Sequence, residues 1–254
     1  MIKQLLAAVA LAGAMTLTPL AASAGGTVKV GLSVPLTGDW AEYGDFIKKS
    51  VEMVFARANR MGGVRGKQIE VEVADSRGDP KESVLIAEKF VADPEILVEI
   101  GDFSSSSCMA AAPIYEKANM SQVSPTSSHP DFTKKGKNMF RVGATQASEG
   151  PFSSKWAIED LGAKTVATIY INNDWGVAAN KFFVEAAKKM GAKVVAEEAF
   201  ITGERDFSSI LTKIKKANPD LLYLPTFYAD ASSIMTQARR MRYKPKVLST
   251  GSLY

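Results

Sequence analysis

Two apolar rhythms alternate along the chain. Val28, Val30, Leu32 and Val34 repeat every second residue and predict a strand. From Asp45 to Asn59 the spacing changes to that of a helix, with Ile47, Val51, Val54, Phe55 and Ala58 on one face and Gly62-Gly63 as the stop. Ile69, Val71 and Val73 alternate with Glu70 and Glu72, a strand with one wetter face. Pro80 suits the first turn of a helix that runs to about Ala92. A strand at Ile96–Ile100, a helix to about Asn119 and a short strand at Ser121–Ser124 follow. Strands alternating with helices predict an α/β domain with a parallel sheet and right-handed crossovers.

Between Ser124 and Pro151 the rhythm breaks, leaving a lone strand at Met139–Val142 among polar, Gly-bearing segments. This stretch is the expected crossing to a second lobe. The alternation then resumes: helix 152–161, strand 165–171, helix 176–190, strand 193–197, helix 207–217, strand 221–224, helix 231–241 and strand 247–248. Phe207, Ile210, Leu211 and Ile214 mark the apolar face of the third of these helices. The expected division is a first lobe over 25–145 and a second over 146–254. Residues 1–24 have the grammar of a secretory signal peptide: Lys3, an apolar run from Leu5 to Leu20, and Ala22-Ser23-Ala24 before the cut. An N-terminal anchor fits less well, because the run contains Gly13 and Pro19 and no charged flank follows. The exported chain is expected in the periplasm.

Composition narrows the chemistry. The formal net charge is +4, with Lys3 in the leader, and basic residues do not cluster with aromatics, so no nucleic-acid partner is expected. Cys108 is the single cysteine, which rules out an intrachain disulfide and leaves stability to packing. No His-Glu-x-x-His, Cys-x-x-Cys or Gly-x-Ser-x-Gly pattern occurs, and no metal or cofactor is expected. Gly62 to Lys67 has the wrong spacing for a phosphate loop and lies between a helix and a strand, the reverse of the required order.

In parallel α/β sheets, ligands bind at the carboxyl ends of strands. The loops there carry Trp40, Tyr43, Trp175, Phe227 and Tyr228 together with two hydroxyl clusters, Ser104–Ser107 and Ser124–Ser128. Serine before a helix either caps it or offers a hydroxyl to a ligand at the positive helix end, and Ser104–Ser107 alone leaves both readings open. Each aromatic, taken singly, is more readily core than ligand wall. Two lobes facing across these loops would form a cleft suited to a small zwitterion or acid with an apolar side chain. His129 is the only histidine, so a secreted serine hydrolase would need it as base for a serine of the 104–107 run.

Those same loops resemble the type I periplasmic solute-binding proteins, in the leucine/isoleucine/valine-binding branch of ABC-importer receptors. The resembling pieces are Val30 to Gly38, Ala41 to Gly44, Asn59 to Gly66, Asp75 to Pro80, Gly101 to Ser107, Ser124 to Ser128 and Gly203 to Ser208. The resemblance implies two doubly wound parallel-sheet lobes that close on a ligand about a hinge. It implies that Ser105 and Ser128 hold the ligand's carboxylate and amine, with Thr126 contributing backbone. It places Tyr43 as an aromatic of the first lobe, and Trp175 and Phe227 as aromatics of the second. The implied partners are a small-molecule ligand (a branched-chain amino acid, amide or small carboxylate) and a membrane ABC permease, for a monomeric receptor without enzymatic activity. Two departures stand out. The acidic residue that pairs with an ammonium in amino-acid binders falls near Gly251, and Asp230 is the nearest substitute. The family continues beyond this length and returns to the first lobe, so a C-terminal part of the fold is expected to be missing. A ligand-sensing domain that signals rather than transports is the competing reading within the same fold.

Overall fold

Two separate parallel sheets carry the chain in the computed structural model, which describes residues 25–253; the expected signal peptide, 1–24, lies outside them. The first sheet is built from β1 (Gly25–Val34), β2 (Lys67–Asp75), β3 (Ile96–Gly101), β4 (Ser121–Ser124) and β5 (Met139–Arg141), in the order β2-β1-β3-β4-β5. Its crossovers are α1 (Ala41–Arg60), α2 (Pro80–Ala92) and α3 (Ser105–Lys117). After α4 (Gln146–Lys155), the second sheet takes β6 (Thr165–Ile171), β7 (Lys193–Phe200), β8 (Leu221–Tyr223) and β9 (Val247–Leu248), in the order β7-β6-β8-β9. Helices α5 (Asp174–Lys189), α6 (Ser208–Ala217) and α7 (Tyr228–Arg240) connect them. Every ladder between these strands is parallel.

Core packing follows this division. Phe90, Ile96, Ala112, Tyr115, Phe132 and Met139 pack between the first sheet and α2 and α3. Val166, Phe183, Val184, Leu221 and Tyr223 fill one face of the second sheet, with the Phe183 and Tyr223 rings stacked at 3.8 Å. A third cluster joins the halves: Trp40, Tyr43 and Phe103 from the first pack with Ile171, Trp175, Leu224 and Phe227 of the second.

The expected order of elements is found, and the bounds differ most at two helices. Helix α1 starts at Ala41 rather than Asp45, and its fully buried residues are Tyr43 and Gly44. The face read from Ile47 to Ala58 is only partly covered, and Phe46, Met53 and Val54 are exposed. Helix α4 starts at Gln146, six residues before the expected start, and passes through Pro151 into one π turn at Trp156–Asp160. Proline is disfavoured inside a helix because it lacks an N–H and crowds the preceding turn. Packing against α5 holds the helix through Pro151 nonetheless. A Cβ on Gly150 would lie 2.6 Å from the Cβ of Phe182, and Ser154 Oγ donates to the Phe183 carbonyl at 2.8 Å.

Candidate functional site

Each sheet has a point where the chain changes direction of winding. In the first sheet β1 is flanked by β2 and β3, and in the second β6 is flanked by β7 and β8. Loops diverge at such points and leave a crevice at the carboxyl ends of the strands. The two crevices face each other. Between them lies a cleft of about 220 Å³, smaller than the roughly 300–1,000 Å³ of sites for drug-sized ligands and suited to a small metabolite.

The first-lobe wall is made of hydroxyls. Gly101 ends β3 at φ 140°, where a Cβ would sit 2.2 Å from the Ser33 carbonyl oxygen, so the turn into the serine loop requires glycine. Ser104 is the N-cap of α3, its Oγ accepting from Ser107 N at 3.1 Å. Ser105 is therefore left for other work. Its buried Oγ accepts from Ser127 Oγ at 3.2 Å and from His129 N at 3.3 Å. A hydroxyl has two acceptor sites and one proton. With both acceptor sites engaged, the Ser105 proton is the part left to donate. Ser128 Oγ accepts from Gln146 Nε2 at 3.0 Å and likewise keeps its proton. Thr126 lines the cleft too, but its hydroxyl donates to the Phe103 carbonyl at 2.7 Å and its N–H to Ser124 Oγ at 3.4 Å. Arg141 fixes the loop behind these groups, donating to the carbonyls of His129 (2.7 Å) and Pro130 (3.3 Å) and to Thr133 Oγ1 (2.9 Å).

The opposing wall is aromatic. Trp175 enters from the first turn of α5, where Asn173 is the cap. Its ring stacks on Phe227 at 4.8 Å, and both line the cleft. Phe227 also meets Trp40 at 4.7 Å and Phe103 at 5.3 Å, so it joins the two lobes as well as lining the site. Tyr43 stacks on Phe103 at 4.3 Å. Its hydroxyl donates to the Ser252 carbonyl at 2.5 Å and accepts from Tyr228 N at 3.1 Å, tying the first lobe to the end of the second.

Six of the seven residues picked out in the sequence thus line one cleft: Tyr43, Ser105, Thr126, Ser128, Trp175 and Phe227. Asp230 does not. It is buried in the first turn of α7, accepts from Thr226 Oγ1 at 3.2 Å, and its carboxyl is held above the usual range by burial. Nor does His129 face a serine with its ring. Nδ1 accepts from Asp131 N at 3.1 Å, and among the described residues no serine hydroxyl bonds to the imidazole. No metal-holding cluster occurs among the described residues, and none of their helices is long and apolar enough to cross a membrane.

Sequence reasoning missed Phe103, Gln146 and Glu149. Phe103 was hidden beside the serine run. Gln146 and Glu149 lie in the stretch where periodicity fails, on the first turn of the helix whose start was placed too late. Gly251 does line the cleft, as the resemblance implied, and brings no charge.

This architecture is shared with known proteins. The chain is 30% identical over 240 residues to the leucine-, isoleucine-, valine-, threonine- and alanine-binding protein of Pseudomonas aeruginosa, covering 94% of this chain and 63% of that protein. It superposes on the branched-chain amino acid transporter substrate-binding protein LivJ of Streptococcus pneumoniae, solved with isoleucine, with a TM-score of 0.83, 28% identity, and coverage of 89% and 64%. A solute-binding protein of an ABC transporter from Rhodopseudomonas palustris, solved with 3,4-dihydroxybenzoic acid, gives a TM-score of 0.81 at 26% identity, with coverage of 89% and 62%. The chain spans less than two thirds of the length of each. The family model for periplasmic binding proteins matches residues 27–254, and the chain belongs to that family.

Proposed function

We propose that the chain is the solute-capturing part of a periplasmic receptor for an ABC importer, taking a branched-chain amino acid or a related small carboxylate. The observation that carries this reading is the pair of uncommitted hydroxyl protons, Ser105 and Ser128, facing the Trp175–Phe227 wall across one small cleft. Hydroxyl donors and the N-terminus of α3 suit a carboxylate. The aromatic wall suits an apolar side chain and excludes water. Among the described residues neither Ser105 nor Ser128 is bonded to an imidazole or a carboxylate that would activate it, and on this reading capture is reversible and without chemistry. Closure is a population shift, driven by contacts from both lobes that exist together only when the lobes meet. The closed receptor, as a monomer, then docks on its membrane permease.

Titration calorimetry of the full-length protein against isoleucine, leucine, 4-hydroxybenzoate and acetamide tests the reading. One-to-one binding of at least one of them is expected. No heat with any would contradict it.

A further inference from the structure

The head-group end of the cleft holds a charge that the sequence did not reveal. Among the described residues Glu149 is the one acidic or basic side chain lining it, half-buried in the first turn of α4. Among the described residues it forms no salt bridge, and its bonded donor is the neutral Gln146 Nε2. The contact orients Gln146. A carboxylate only accepts, so the amide must turn its NH₂ toward Glu149 and Ser128. That leaves Gln146 Oε1 buried with no partner. Two acceptors, one charged and one unsatisfied, thus stand beside Ser128 with no cation to meet them.

We infer that Glu149, supported by Gln146, is the seat for the ligand's positively charged nitrogen and makes the cleft selective for amino acids over plain carboxylic acids. The inference rests on the receptor reading above and specifies its ligand class. It fills the role for which Asp230, turned toward Thr226, is misplaced. A zwitterion satisfies the whole site: its carboxylate takes the free protons of Ser105 and Ser128, and its ammonium takes the Glu149 carboxylate. An acid lacking the ammonium would bring a second negative charge next to Glu149 without a counter-charge, which is unfavourable in a partly dry cleft. Burial holds the Glu149 carboxyl above its ordinary range, and a bound ammonium would draw it back down.

The test compares isoleucine with 3-methylpentanoate, the same skeleton without the amine, on the full-length protein and on Glu149→Gln. The wild type is expected to prefer isoleucine by about 100-fold. Removing one partner of a buried charge pair weakens binding by roughly 30-fold or more, so Glu149→Gln is expected to lose isoleucine affinity on that scale. Its weak affinity for 3-methylpentanoate should hold or improve. A purely structural Glu149 would move both ligands together. Equal wild-type affinity for the two, or isoleucine affinity unchanged in Glu149→Gln, would overturn the inference and leave the receptor reading standing. Binding of 4-hydroxybenzoate or acetamide by a wild type that takes neither isoleucine nor 3-methylpentanoate would likewise overturn the inference alone, whereas no heat with any of the calorimetric panel would overturn the receptor reading itself. If the variant does not fold, the wild-type preference decides alone.

Discussion

Ser105 has a hydroxyl proton to offer because its neighbours engage only its acceptor sites. Ser127 and His129 N occupy its lone pairs, and Ser104 has taken over the capping. Ser105→Ala removes a donor to a charged group, worth about 1.5–3 kcal/mol, so affinity for a carboxylate ligand is expected to fall by roughly 10- to 150-fold, with some loss of stability because Ser127 Oγ and His129 N lose their acceptor. Calorimetry checks it, and an unaltered dissociation constant would remove Ser105 from the site. Beneath the serine loop lie two buried carboxyls. Glu99 accepts from Ser33 Oγ, and Asp102 accepts from Phe103 N and from Ser83 Oγ. Burial, with Asp102 nearby, pushes Glu99 up to about 8, and burial raises Asp102 to about 6. An acid whose folded pKa is raised holds its proton more tightly in the native state, so its stabilising contribution is present at low pH and lost as pH rises. Native stability should therefore fall from about pH 4 to pH 6 through Asp102, and onward to about pH 8 through Glu99. Glu99→Gln should match the wild type near pH 4 and exceed it at pH 9. Urea midpoints across that range give the answer, and parallel curves would contradict it.

At the scale of elements, the junction into α4 decides what the cleft can recognise. Gly150 lets α4 approach α5 closely, which sets the helix's first turn beside the Ser128 loop, where Gln146 N donates to the Ser128 carbonyl at 2.8 Å. Gly150→Val forces a side chain into the Phe182 backbone and is expected to destabilise by about 1–3 kcal/mol. It should also weaken ligand binding, because Gln146 and Glu149 move with the helix. Denaturant unfolding and calorimetry on the same sample test both parts, and a neutral variant would show that the contact is slack. The serine loop and the aromatic wall were legible in the sequence, since strand, glycine, hydroxyl run and helix follow local rules. The α4 junction was not. Periodicity says nothing where the chain crosses between lobes, and a proline at 151 gives no hint that a helix already runs through it. The same blindness affected Asp230: its charge was readable, but which way α7 turns it was not. For α1, the helical spacing was right but its degree of burial was not, because spacing gives a face and not what covers it.

At the scale of the whole molecule, the two sheets meet through one aromatic cluster and a few polar ties. Tyr43 is central to both, stacked on Phe103 and bonded through its hydroxyl to Ser252 and Tyr228 across the gap. Arg205 and Asp39 add an exposed pair at 2.7 Å, worth little on its own. Tyr43→Phe keeps the ring and removes the hydroxyl, leaving the Ser252 carbonyl and Tyr228 N without it. The equilibrium should shift toward separated lobes and lower ligand affinity by about tenfold, an effect of roughly 1–1.5 kcal/mol for lost neutral hydrogen bonds. Small-angle scattering with and without ligand would register the shift, and identical profiles and affinity in variant and wild type would contradict it. The most direct measurement is a crystal structure of the full-length protein with the tightest-binding solute of the calorimetric panel. The ligand is expected intact between the lobes, its carboxylate within hydrogen-bonding distance of Ser105 and Ser128 and its apolar part against Trp175 and Phe227. A ligand seated elsewhere, or a closed cleft in which those two hydroxyls meet only protein, would contradict the account.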